Sequence, residues 1–273
     1  MRRVLLTVLC ALTAVSARAQ QPFYTDDAGV TEAGLIHLEV FNEFDRLQPA
    51  LAPHRQQDTV NMRATYGLGR QVELNVDAPL LLIVNGHAVD NAVGVGDTNL
   101  GVKYHWRDEG SGYRHPALAV AAYVEIPTGN ADSGLGSGLT DIWVYGIAQR
   151  TVRPGLTVRA NLGYLFAGNT STGVEGITTS RGHVVTLGAS ITRAINDKVR
   201  LGGEITAAAT SNFDLDRGQL QVLLGSNLQV SRNLSLDVGI LAGHFAASPR
   251  YGVQIGVSRD FPVRASKTPP AAR

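Results

Sequence analysis

Apolar and polar residues alternate with period two along most of the chain after residue 20. In one segment Leu100, Val102 and Tyr104 alternate with Asn99, Gly101 and Lys103. Strict alternation is typical of β-strands whose two faces meet different environments. No stretch after Gln20 approaches the run of about 18 apolar residues that a membrane-spanning helix requires. The pattern therefore predicts an all-β protein.

Twelve segments of the chain follow this alternation. Their predicted spans are 33–46, 56–67, 70–84, 96–107, 116–127, 138–150, 155–167, 181–195, 198–211, 218–230, 233–245 and 250–261. They are longer than the strands of most globular proteins, whose commonest length is about 5–6 residues. Tilted membrane strands need about 9–11 residues, which these segments supply.

The connections between the segments are alternately long and short. The long ones are 47–55, 85–95, 128–137, 168–180 and 212–217, and the tight ones are 68–69, 151–154, 196–197 and 231–232. Two connections depart from the rule, because 108–115 is longer and 246–249 is shorter than expected. Long outer loops and short periplasmic turns are typical of outer-membrane barrels, and an even strand number places both termini on the periplasmic side.

These observations predict a closed antiparallel transmembrane β-barrel of about twelve strands over residues 33–261. In lipid every backbone N–H and C=O must be paired, so strands persist only in a closed sheet. Outer-membrane lipid is the expected surrounding. A soluble β-sandwich or a secreted ligand-carrying barrel would also alternate, and that alternative stays open because alternation does not show which face is wet.

Both ends of the chain are predicted to lie outside the barrel. Residues 1–19 have the basic start, short apolar run and Ala17-Arg18-Ala19 site of a cleaved signal peptide. Residues 20–32 are predicted to form a periplasmic segment and residues 262–273 a disordered tail. The last strand ends at Phe261, which resembles the signal read by the barrel-assembly machinery, a partner during biogenesis.

Composition and charge narrow the possible functions. Charged residues make up 17% of the chain and the formal net charge is +1. This balance argues against nucleic acid as a partner. The single cysteine, Cys10, lies in the predicted signal peptide, so disulfide bonds are not expected in the mature chain.

Charged and histidine side chains on the polar side of the alternation are the candidate pore-lining residues. They are His37, Glu39, Glu43, Arg63, Glu73, Asp77, Lys103, His105, Arg107, Arg159, Arg200 and Glu204. On the polar side of a membrane barrel they would face the lumen and set its charge preference. Alternatively, they pair into a polar plug that keeps the lumen closed.

Motifs for catalysis or metal binding are not found in the sequence. The nucleophile pattern G-x-S-x-G is absent, and no two histidines have metal-ligand spacing. Catalytic residues, metals and cofactors are therefore not predicted, although a lipid-modifying enzyme remains a third hypothesis.

Asp26-Asp27 could bind a cation or cap a turn, and is interpreted as the periplasmic start of the barrel. Residues 134–138 are interpreted as a flexible outer loop.

Several motifs resemble one known family in their order and spacing. They are Thr25–Gly29, Tyr66–Gly69, Gly94–Tyr104, Glu125–Gly129 and Gly134–Gly138. Together they resemble the outer-membrane transporter family named for the MetA pathway of phenol degradation. The resemblance covers about Tyr24 to Phe261. It implies an outer-membrane barrel that passes small hydrophobic or aromatic solutes, and it transfers no catalytic residues. A closed barrel with a structural or surface-binding role is the alternative.

Overall fold

Long antiparallel strands dominate the computed structural model, which describes residues 22–86, 89–110, 115–167, 182–210, 218–245 and 247–263. The strands found in these residues are β1 Leu35–Arg46, β2 His54–Gly67, β3 Val72–Asn85, β4 Ala92–Val95, β5 Thr98–Arg107, β6 Ala117–Ile126, β7 Asp141–Arg153, β8 Leu156–Ala167, β9 Gly182–Ala194, β10 Val199–Thr210, β11 Gln219–Ser231, β12 Leu234–His244 and β13 Tyr251–Pro262. Two 3-10 turns, Pro49–Leu51 and Ala131–Ser133, lie between strands. No helix within the described ranges is long and apolar enough to span a membrane.

The sheet closes on itself because β1 pairs with both β2 and β13. β2 pairs in turn with β3, and the remaining strands pair with their neighbours in sequence back to β13. The short β4 pairs only with the second half of β3, and β5 pairs with the first half. β4 and β5 therefore share one position in the wall, and the predicted closed barrel of twelve strands is confirmed. β4 itself falls in the predicted connection 85–95.

Apolar side chains cover the outside of the barrel. Leu100, Val102, Leu162 and Ile240 are all exposed there, and Leu162 and Ile240 each reach 59%. Their neighbours along each strand point inward and are mostly buried, as β12 shows by alternating buried and exposed positions. A continuous apolar exterior around a polar interior suits lipid rather than water. This arrangement argues against the soluble β-protein that the sequence left open.

The two ends of the barrel differ. At the end where Leu35 pairs with Pro262, which we call the terminal end, tight turns such as Leu68 to Val72 join the strands. The opposite end, which we call the loop end, carries the longer connections. Two of these, 168–181 and 211–217, lie outside the described residues, as do the predicted signal peptide and residues 264–273 of the predicted tail.

The chain before β1 runs inside the barrel. We call residues 22–31 the inner segment, because Phe23, Thr25, Asp26 and Ala28 are all buried against inward-facing side chains of the strands. This position differs from the periplasmic segment predicted for residues 20–32. The alternation shows which strand face is polar, but it does not show what fills the space between the strands.

The connection 127–140 also folds back onto the barrel. Leu135 is only 4% exposed and packs against Leu81 and Ile83 on the inner face of β3. Asp97 holds this loop by accepting the backbone N–H groups of Gly129 and Ser137, each at 2.9 Å. The prediction of a flexible outer loop at residues 134–138 therefore has to be corrected, because a buried leucine and a buried carboxylate fix it in place.

Candidate functional site

The inner segment crosses the interior from β11 and β12 to β3 and β5. At its start Phe23 packs in one cluster with Leu223 and Leu241. At its end the Thr31 backbone N–H donates to Glu73 at 2.6 Å. The segment then joins β1 at the terminal end, where Gly34 donates to the Gly67 carbonyl. The candidate site is therefore the lumen together with the peptide that crosses it.

A buried lysine holds the middle of the inner segment. Lys103 Nζ lies 2.9 Å from Asp26 Oδ1, 3.0 Å from Glu73 Oε1 and 3.9 Å from Asp27 Oδ1. Its side chain is only 3% exposed, so its charge has little contact with water. Burying an unpaired charge is costly, and carboxylates around a buried ammonium offset that cost. Lys103 thus joins the segment to β3 and β5.

Two further contacts fix the same residues. The Tyr145 hydroxyl donates to the second oxygen of Asp26 at 2.9 Å. Arg159 lies 3.8 Å from Asp27, and its side chain is 9% exposed. Asp26 and Asp27 therefore contact cations, but these are side chains of the barrel wall.

A carboxylate of β10 binds the backbone of the inner segment. Glu204 is 5% exposed, and its two oxygens accept the N–H groups of Tyr24 at 2.9 Å and Thr25 at 2.7 Å. Hydrogen bonds to a charged acceptor are stronger than neutral ones. The Tyr24 hydroxyl in turn donates to Glu43, and Gln254 donates to that hydroxyl at 2.6 Å.

A second ion cluster lies on the strands alone. Arg63 on β2 lies 2.7 Å from Asp77 on β3 and 3.6 Å from Glu39 on β1. These pairs link three neighbouring strands across the inner wall. They contribute polarity and charge to the lumen.

One side of the interior is apolar and aromatic. Ala117, Ala119 and Ala121 on β6 pack with Tyr145 and Ile147 on β7, and Ala28 of the inner segment joins them. The charged groups described above belong mainly to β1–β3 and β5. The lumen therefore has one charged side and one side that offers apolar and aromatic surface.

The structure places the predicted pore-lining residues as follows. Eleven of the predicted residues lie on the inner wall and are buried or half-buried. They are His37, Glu39, Glu43, Arg63, Glu73, Asp77, Lys103, His105, Arg159, Arg200 and Glu204. His37 contacts Asp260 at 2.7 Å, and His105 contacts the Ala28 carbonyl. Arg107 differs, because it is exposed at the terminal end of β5 and donates to the Pro116 carbonyl at 3.3 Å.

Sequence reasoning did not identify Asp26, Tyr24 or the aromatic wall as parts of the site. The sequence marks Asp26-Asp27 as a pair that could bind a cation and Lys103 as a residue of the polar face. Nothing in the sequence connects positions 77 residues apart. In the part of the chain that the structure describes, no group of three His, Cys, Asp or Glu side chains could hold a metal ion.

Comparison with known proteins agrees with this architecture. Residues 57–261 match the family described as "Putative MetA-pathway of phenol degradation". The structure is similar to the COG4313 outer membrane channel from Pseudomonas putida F1, with a TM-score of 0.65, 14% identity, and coverage of 86% of this chain and 98% of that chain.

Two porins are also similar in fold. The NanC porin gives a TM-score of 0.56 at 11% identity, covering 81% of this chain and 98% of that chain. The KdgM porin gives 0.52 at 11% identity, covering 82% of this chain and 99% of that chain. The search of curated proteins found no match. The fold is that of an outer-membrane β-barrel.

Proposed function

Because the chain belongs to the MetA-pathway of phenol degradation family, we propose that it is a non-catalytic outer-membrane channel for small, mainly hydrophobic or aromatic solutes. The observation that carries this proposal is the lumen itself. It has a charged side and an aromatic side, and it is crossed by a peptide. Wall side chains hold Tyr24, Thr25 and Asp26 of this peptide through polar contacts, while its Phe23 and Ala28 pack in small apolar clusters. Polar contacts can be exchanged for water when a peptide moves.

We further propose that the inner segment closes the lumen and leaves it when solutes pass. Its contacts, to Lys103, Glu204 and Tyr145, are all made by side chains of the wall. The phenol degradation in the family description and the rings of the inner wall both favour aromatic cargo.

A reversible lock tests this proposal. An ideal Cβ at Gly188 on β9 would lie 3.0 Å from Thr25 Oγ1. A sulfur at that oxygen position would be close to the geometry of a disulfide, whose S–S bond is about 2.05 Å. The double variant Thr25→Cys, Gly188→Cys should therefore join the inner segment to the wall when oxidised.

The measurement is single-channel current in a planar bilayer. We expect the oxidised double variant to conduct little and the same molecules to conduct after a reductant is added. Each single variant is the control and should not respond to the reductant. Absence of current from the reduced variant and from the unmodified chain would reject channel function and favour the structural or surface-binding barrel. Equal current in both redox states would reject the inner segment as the closing element.

A further inference from the structure

Three aromatic rings form a continuous surface on the inner wall. The ring centroids of Trp143 and Tyr145 are 4.3 Å apart, and those of Tyr123 and Tyr145 are 6.0 Å apart. Tyr123 on β6 lies directly opposite Trp143 on β7, with centroids separated by 6.2 Å. The three rings therefore cover neighbouring positions of two paired strands.

Two glycines allow these rings to lie against the wall. A Cβ at Gly101 on β5 would lie 2.2 Å from a ring carbon of Tyr123. A Cβ at Gly163 on β8 would lie 2.7 Å from Trp143 Nε1. Since such distances are too short for any side chain, each ring occupies the space over a glycine backbone. Trp143 Nε1 donates to Thr186 at 2.9 Å, which fixes the orientation of the indole.

The inner segment covers only part of this surface. Tyr145 is 5% exposed, and its hydroxyl is bound by Asp26. Tyr123 and Trp143 are only partly buried, although both face the interior. They lie nearer the loop end than Tyr145 in the register of β6 and β7. The part of each ring that stays accessible therefore lies on the loop-end side of Tyr145.

Two acidic residues lie next to the rings. Glu125 and Asp141 lie opposite each other on the same inner face, two residues nearer the loop end than Tyr123 and Trp143. An organic anion next to these two carboxylates would be repelled, whereas a cation over a ring would be attracted.

We propose that Tyr123 and Trp143 form a stacking subsite for small planar aromatic solutes that are uncharged or positively charged. Offset stacking of a planar ring on such a surface strengthens binding about two- to tenfold beyond the effect of burying apolar area. The subsite deepens the proposed channel function by naming a class of solute and where it stops. Binding can be measured without any current, so the two proposals fail separately.

The chain supplies its own reporter of binding. It has two tryptophans, and Trp106 is outside the barrel with 68% of its surface exposed. In the variant Trp106→Phe, tryptophan fluorescence comes from Trp143 alone. We would titrate this protein with benzyl alcohol, benzylammonium, benzoate and cyclohexylmethanol. Cyclohexylmethanol is similar to benzyl alcohol in size and polarity but has no aromatic face.

We expect saturable changes in Trp143 fluorescence with benzyl alcohol and benzylammonium, and at least about threefold weaker binding of cyclohexylmethanol and benzoate. In the same background Tyr123→Leu should weaken benzyl alcohol binding about three- to tenfold, as expected for loss of one stacking partner. Tyr104→Leu is the matched control, because Tyr104 is on the lipid-facing side, and it should bind like its parent.

Equal binding of benzyl alcohol and cyclohexylmethanol would overturn the stacking subsite, as would equal effects of Tyr123→Leu and Tyr104→Leu. Benzoate binding as tightly as benzylammonium would overturn the charge preference. Aromatic binding by a protein that passes no current would support the subsite while rejecting the channel. Current through a protein that does not bind aromatic solutes would support the channel and reject the subsite.

Discussion

Lys103 in the middle of β5 and Asp26 in the inner segment form an ion pair at 2.9 Å, with both side chains almost fully buried. The pair joins the peptide inside the barrel to the wall that surrounds it. Lys103 contacts Glu73 on the neighbouring strand at 3.0 Å as well, so one ammonium group binds both the inner segment and the sheet.

Replacing this lysine should release the inner segment. Lys103→Met leaves Asp26, Asp27 and Glu73 without their shared cation, and removal of one partner of a buried pair costs about 3–5 kcal/mol. We expect chymotrypsin to cut after Phe23 and Tyr24 much faster in the variant than in the unmodified protein. Cleavage would be followed by mass spectrometry, with gel mobility before and after boiling to show that the barrel remains folded.

Lys198 provides the matched control for this experiment. It lies in an exposed turn between β9 and β10, so Lys198→Met removes the same charge without touching the segment. Protection of Phe23 and Tyr24 should persist there. If Lys103→Met were equally resistant while remaining folded, the ion pair would not be what keeps the segment in place.

Glu204→Gln should loosen the start of the inner segment. In the native protein the two carboxylate oxygens of Glu204 accept the backbone N–H groups of Tyr24 and Thr25. The glutamine amide keeps one acceptor oxygen, and its NH₂ group faces the other backbone N–H, from which it cannot accept. Loss of a hydrogen bond to a charged group costs about 1.5–3 kcal/mol. The chymotrypsin cleavage rate after Tyr24 should rise at least about tenfold. Glu32→Gln, at an exposed acid of the adjoining chain, should leave that rate unchanged, and equal rates in the two variants would contradict the expectation.

Neighbouring positions on β5 should differ in their access to water. Asn99 points inward and is half-buried, whereas Leu100 points to lipid with 43% exposure. In vesicles a charged thiol reagent should modify Asn99→Cys and leave Leu100→Cys unmodified. The reverse result would mean that the lipid and lumen faces have been exchanged. Fully buried inward positions such as Ser190, at 6% exposure, are unsuitable for this comparison because the reagent cannot reach them.

The sequence predicts the wall of this barrel better than its contents. The predicted spans of all twelve long strands overlap the observed ones, for example 33–46 against Leu35–Arg46, because a membrane barrel imposes period two on every strand. The inner segment has no such period. Its position depends on Lys103, Glu204 and Tyr145, which come from three distant strands, and their convergence appears only when the sheet has closed.

The loop 127–140, which folds over β3, should depend on Asp97 for its position. Asp97 is 1% exposed, and each of its carboxylate oxygens accepts one backbone N–H, from Gly129 and from Ser137. Asp97→Asn retains only one acceptor oxygen, and loss of a charge-assisted bond costs about 1.5–3 kcal/mol. Amide hydrogen exchange across residues 127–140 should therefore accelerate at least about tenfold, since local opening becomes easier by that free energy.

Asp90→Asn is the control, because Asp90 is an exposed acid at the loop end and its side chain has no hydrogen bond among those found for the described residues. Exchange at the strands of the barrel should be the same in both variants. If Asp97→Asn exchanged no faster than Asp90→Asn across 127–140, the packing of Leu135 on Leu81 and Ile83 would be sufficient to hold the loop. In that case Leu135→Ala, which removes this packing, should be the substitution that releases it, because loss of a buried leucine side chain costs about 2–5 kcal/mol.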